Sequence, residues 1–228
     1  MITGDGVSGV AALAAVTTTL AAASGCISCM TIRYAMSPSY ARVYDLTAAM
    51  NGALGGLVAI TAGCAVVQPW AAVVIGALAG PTYLCASNGL LKLHIDDTVD
   101  AVPVHMANGI WGLLATGLFA DPNLKQIAYG NNIGGLFYGD GELFAAECVT
   151  ILFVTGWVTA IMLPFFLLLN HFGLFRVSAV DEQVGLDISK HGGAAYVLAE
   201  PSEQALKDFK DGKEVAKHPG EGEDNSRL

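Results

Sequence analysis

A histidine lies inside an apolar stretch: His105 follows Asp96-Asp97-Thr98-Val99-Asp100-Ala101-Val102-Pro103-Val104 and leads into Met106-Ala107-Asn108-Gly109. Imidazole titrates near neutrality and offers one donor and one acceptor, so it can hold a small polar solute and relay a proton. An ionisable side chain in hydrocarbon is costly, and it faces a cavity, a partner or a transport path. From the residues alone two readings of His105 stand level, a helix-packing histidine bonded to a neighbour and a pore-lining group. Asp100 reads as the N-cap and Pro103 as a first-turn residue, so the helix is expected to begin at Ala101. In an α-helix His105 then lies about 7.5 Å deeper than Asp100 and projects roughly 140° away from it. Asp96, Asp97 and Asp100 are expected to order this helix N-terminus. The five cysteines, Cys26, Cys29, Cys64, Cys85 and Cys148, fall in or beside apolar segments and read as packing residues. Cys26-Ile27-Ser28-Cys29 has redox spacing but lacks the soluble setting that lowers a thiol pKa. With His105 alone among apolar residues, no enzyme, metal or cofactor is expected.

The elements that must position this histidine are membrane spans. The 228 residues are 54% hydrophobic and 14% charged, with mean hydropathy +0.53, which is the composition of a membrane protein. The net charge of -9 belongs mainly to the residues beyond Val180, and no nucleic-acid partner is expected. Five stretches approach the roughly 20 apolar residues a span requires: Val7 to Ile32, Leu46 to Val67, Ala71 to Leu93, Ala101 to Ala120 and Leu143 to Phe175. The first is rich in Ala, Thr, Ser and Gly and reads as an interior helix; the fifth is long, with Pro164 expected to bend it near Ala160. Arg33, Arg42, Lys92 and Arg176 fall on a common side when the spans alternate, which makes that side and the C-terminus cytosolic. Gly52 and Gly56, like Gly76 and Gly80, recur at the spacing that lets membrane helices pack closely.

The run from Asp96 to Ala120, with Gly109, Trp111-Gly112, Thr116-Gly117 and Phe119-Ala120, resembles the second histidine-bearing segment of the ammonium transporter family, the Amt/Rh channels. Asn51-Gly52-Ala53-Leu54-Gly55-Gly56-Leu57-Val58-Ala59-Ile60-Thr61-Ala62-Gly63-Cys64 resembles the family's eighth span. Gly185-Leu186-Asp187, His191-Gly192 and Ala195-Tyr196 resemble its cytoplasmic C-terminal motif, with Gly193 where the family commonly has Glu. The resemblance implies that His105 is one of two pore histidines contributed by two inverted halves, with Asp100 and Asn51 as structural residues near the pore. It also implies that Gly185, Asp187, His191, Gly192 and Tyr196 form a tail motif beneath the bundle.

The expectation is thus an all-α polytopic transmembrane bundle, the second half of an eleven-span inverted-repeat ammonium channel. Residues 1–180 would form the five-span domain, 181–201 the cytoplasmic motif and 202–228 a disordered polar tail, with a short helix near Glu203 to Phe209. The expected partners are ammonium or ammonia, membrane lipid, two further copies in a homotrimer, the missing N-terminal half in cis or trans, and a cytosolic regulator of the tail. The expected location is the plasma membrane. The alternative is a non-conducting membrane sensor or assembly subunit on the same scaffold, and the chain is expected to be a partial one, or else a half that pairs with another polypeptide.

Overall fold

The computed structural model describes residues 4–191 and 207. These are helical; the described residues contain no β-strand, only an isolated antiparallel bridge between Val67 and Ala120. The main elements are α1 (Gly4–Met36), α2 (Leu46–Ile60), α3 (Pro69–Lys92), a π-helical turn (Val102–Ala107), α4 (Asn108–Phe119), α5 (Pro122–Tyr129), α6 (Glu142–His171), α7 (Ala179–Val184) and α8 (Leu186–His191). Three of them, α1, α3 and α6, are long and apolar enough to cross a membrane. The chain divides into two compact units, residues 1–156 and 157–228.

In the first unit α1, α2 and α3 pack on one another through small residues. A side-chain carbon added at Gly56 would lie 2.3 Å from the Ala21 carbonyl oxygen, and one at Gly76 would lie 2.1 Å from the same oxygen. Added at Gly52 it would lie 2.4 Å from Cys29 Cβ, and at Gly80 2.7 Å from the Cys29 backbone nitrogen. Both glycine pairs singled out in the sequence therefore face α1, where backbones meet without intervening side chains. Around them Ala21, Ala59, Ile60, Ala72, Ile75 and Ala79 are buried. Cys29 is fully buried beside Ala48 and Tyr83 and no cysteine among the described residues is in a disulfide.

Local chemistry sets the helix ends. Asp45 caps α2 by accepting from the backbone N–H groups of Thr47 at 2.8 Å and Ala48 at 3.3 Å, and Pro69 opens α3 where a missing donor costs nothing. The second apolar stretch, expected to be helical to Val67, leaves the helix at Ile60 and continues as tight turns. Apolarity reports depth rather than backbone form. This non-helical backbone is tolerated because its carbonyls find donors inside the protein, as where the Thr17 hydroxyl of α1 donates to the Cys64 carbonyl at 2.8 Å.

Within the second unit Val180 and Val184 are buried against Ile188. Ser178 caps α7, accepting from Asp181 N–H at 3.1 Å. Gly185, at φ +92°, separates α7 from α8 in a conformation that an L side chain adopts only with strain.

Candidate functional site

His105 is carried by the π-turn, not by the α-helix expected from Ala101. Pro103 has no N–H to hold an α-helical register, and the wider turn inserts one extra residue. One residue corresponds to roughly 100° of rotation, so the 140° relation between Asp100 and His105 that an α-helix implies does not hold. The turn is anchored from below by Asp97, whose carboxylate oxygens accept from Ala101 N–H at 2.9 Å and Val102 N–H at 2.8 Å. Asp97 is thus the capping residue.

Asp100 holds the expected N-cap position, its carbonyl accepting from Val104 N–H at 3.0 Å, but its side chain has a different role. Its backbone is left-handed, at φ +55°, a conformation Asp tolerates better than most residues. This turns the side chain toward α3, where one carboxylate oxygen accepts from Tyr83 Oη at 2.7 Å and the other from Ser87 Oγ at 2.9 Å. Asn51 of α2 donates from Nδ2 to Tyr83 Oη at 2.8 Å. Asn51, Tyr83, Ser87 and Asp100 therefore form one chain of hydrogen bonds that fastens the histidine-bearing segment to α2 and α3. Beside it is a cavity of about 210 Å3 to which Arg33 and Asp45 also contribute; Arg33 Nε stands 3.8 Å from Asp45 Oδ2.

Beyond this network His105 is exposed and faces a groove of about 430 Å3. Thr61, Met106, Ile110, Leu113 and Val154 are among its walls, so the imidazole stands in an apolar setting with threonine hydroxyls for company. Such a groove can strip water from a small solute, while the imidazole offers it a hydrogen-bond partner. Asn108, the first residue of α4, is fully buried against α2. Its Nδ2 donates to the Pro103 carbonyl at 3.1 Å. Trp111, one turn on, donates from its indole nitrogen to the Ile75 carbonyl of α3 at 3.0 Å.

The far end of the unit is closed by Asp121. It caps α5, accepting from Asn123 N–H at 2.8 Å, and its other oxygen accepts from Gln68 Nε2 at 2.7 Å and from Tyr138 Oη at 3.4 Å. Burial would raise its pKa, but the donors from Gln68, Asn123, Leu124 and Tyr138 outweigh it and hold the carboxyl below its usual range. The same burial and the Asp121 charge push the Tyr138 phenol up. The segment from Asp121 to Glu142, between the fourth and fifth apolar stretches, includes α5 and a 3-10 turn at Leu136–Tyr138.

Of the other residues marked in the sequence, Gly185 separates α7 from α8 and His191 ends α8. Asp187 lies in α8, while Gly192 and Tyr196 lie outside the described residues, as does nearly all of the tail. Three residues of the site escaped the sequence analysis: Tyr83, Ser87 and Asn108. Each had a signal. Tyr83 and Ser87 stand four apart, on one face of α3, and Asn108 is an amide in the middle of an apolar run.

A model of the Ammonium Transporter Family matches residues 3–196. Ammonium transporter 1 member 1 of Arabidopsis thaliana is 40% identical over 193 residues, 83% of this chain and 38% of that protein. The crystal structure of Saccharomyces cerevisiae Mep2 superposes with a TM-score of 0.65 at 27% identity, covering 71% of this chain and 38% of the other. A sensor Amt protein superposes at 0.67, also with 27% identity, over 78% of this chain and 42% of its own. The chain spans about two fifths of the length of the curated relatives it matches. With the family matched along most of its length and relatives near 40% identity, this integral membrane chain belongs to the ammonium transporter family.

Proposed function

We propose that the chain forms one wall of an ammonium-conducting pore, with His105 as the pore-facing group that receives ammonia and takes part in a histidine relay. The observation that carries this is the exposure of His105 on an apolar groove. A neutral amine crosses such a surface far more cheaply than a bare cation, and an imidazole gives it one partner on the way. The opposite wall and a second histidine come from an N-terminal half related to this one as an inverted repeat. The assembled protein is a homotrimer in the plasma membrane, with the C-terminus cytosolic and the segment of Gly185, Asp187, His191, Gly192 and Tyr196 beneath the bundle, open to a cytosolic regulator.

The test is methylammonium uptake in cells lacking their own ammonium transporters. The chain is expressed alone and together with the N-terminal half of a family member. Uptake is expected only with both halves, and it is expected to disappear in His105→Ala at unchanged abundance in the membrane. Equal uptake by parent and His105→Ala would refute the pore role of the histidine. Likeness to the sensor Amt protein supports a second reading, a sensor on the same scaffold; protein that accumulates with both halves yet never transports would favour it.

A further inference from the structure

We propose that Asn108 is a positioning residue for His105, its side-chain amide fastening the π-turn that turns the imidazole into the groove. Asn108 is fully buried, and its Nδ2 donates to the carbonyl of Pro103, within the turn, at 3.1 Å. Its Oδ1 is buried and has no hydrogen-bond partner among the described residues. Exchanging the two amide atoms would set two oxygens against each other, so the donor faces Pro103. An amide with one bond made and one acceptor stranded loses hydration without full return, so the leucine side chain, which has the same branched shape and no polar atoms, would avoid that cost. The benefit of the amide is therefore geometric rather than energetic. An α-helical register would bring His105 and Asn108 to within about 60° of each other around the axis, since they are three residues apart. One of them must be buried against α2 and the other must reach the groove. The π-turn separates them, and its carbonyl at Pro103 is where the Asn108 amide takes hold.

Gly55 completes the arrangement. A side-chain carbon there would lie 2.7 Å from Asn108 Nδ2, so the amide can sit at the Pro103 carbonyl only because residue 55 has no side chain. The unusual feature is thus a matched pair, a glycine on α2 and an amide at the start of α4.

The experiment measures backbone hydrogen exchange of the chain in nanodiscs, together with its resistance to SDS. For Asn108→Leu, exchange over residues 101–108 is expected to accelerate roughly five- to tenfold, the equilibrium equivalent of one hydrogen bond. Exchange in α3 and the SDS midpoint are expected to stay at or above parent values. Gly55→Ala, which displaces the same amide, is expected to accelerate the same segment. Unchanged exchange in either variant, or acceleration throughout the bundle with a lower midpoint, would overturn the proposal. A second arm rests on the transport reading: with the complementary half present, Asn108→Leu is expected to lower maximal methylammonium uptake roughly five- to tenfold at nearly unchanged half-saturation. Faster local exchange with parent-like uptake would overturn the positioning role. Absence of uptake in the parent itself would count against the transport reading alone, because the exchange measurement still decides whether Asn108 holds the turn.

Discussion

Two chemically identical substitutions on one helix should have opposite effects. Gly76→Ala puts a methyl carbon 2.1 Å from the Ala21 carbonyl oxygen and 2.3 Å from Ser24 Oγ. The serine hydroxyl can rotate away, but the carbonyl belongs to α1 and cannot. Reaching the 3.4 Å at which ordinary contact begins requires the two helices to part by about 1.3 Å. A gap of that size forfeits at least about half of the dispersion energy of each atom pair across the seam, and Ala72, Ile75 and Ala79 are buried in α3 beside it. Overpacking of this kind costs about 1–3 kcal/mol, and a backbone obstacle puts Gly76→Ala near the top of that range. The gain in helix propensity of roughly 1 kcal/mol leaves a net loss of about 2 kcal/mol. Gly89, in the same helix, has nothing within 4 Å of the added carbon, so Gly89→Ala keeps the propensity gain and is expected to be neutral or stabilising by up to about 1 kcal/mol. Titration with SDS in mixed micelles, followed by circular dichroism, compares the two directly. Equal midpoints would refute the reasoning, because they would mean that α1 and α3 do not touch at Gly76.

Tyr83→Phe removes a donor to Asp100 and an acceptor for Asn51 in one step, and a loss of about 1.5–3 kcal/mol in the same titration is expected. Ser87→Ala shares the Asp100 partner, so the two effects should not add; strict additivity would show that the four residues do not act as a unit. Asp121 is held below its ordinary pKa in the folded chain, so its contribution is fully present above the unfolded value near 3.9 and is lost as pH falls through the lower, folded value. Proteolysis of the segment from Asp121 to Glu142 should therefore rise only in acid below that range, and Gln68→Ala should shift the onset upward; an onset near neutrality would exclude Asp121 as the latch. Single cysteines at Ser39 and Asn131, in a background without the native five, should label from opposite membrane faces, and labelling from one face would refute the span alternation.

The sequence by itself determined the helical membrane character, the order of the apolar stretches, the glycine pairs through which helices meet, and the family. These are properties of local composition and spacing: hydrocarbon selects residue type at each depth, and a glycine in a membrane helix is informative wherever it stands. The same local logic gave the capping carboxylate to the aspartate nearest the helix, Asp100, which does hold the N-cap position with its carbonyl on Val104 N–H, whereas the carboxylate that caps is that of Asp97. Nothing local could reveal that Asp100 has better partners in Tyr83 and Ser87, 17 and 13 residues earlier. Likewise the extension of the second stretch as turns depends on a hydroxyl 47 residues away, Thr17 on the Cys64 carbonyl, and the closure at Asp121 depends on Gln68 reaching it across 53 residues. The π-turn is decided in the same way. Pro103 permits it and Asn108 bonds back to it from five residues on, but that amide lies in space left by Gly55 of α2, a contact that exists only once packing has brought the two segments together. Hydropathy thus told which segments are apolar, and tertiary contacts decided which way His105 faces.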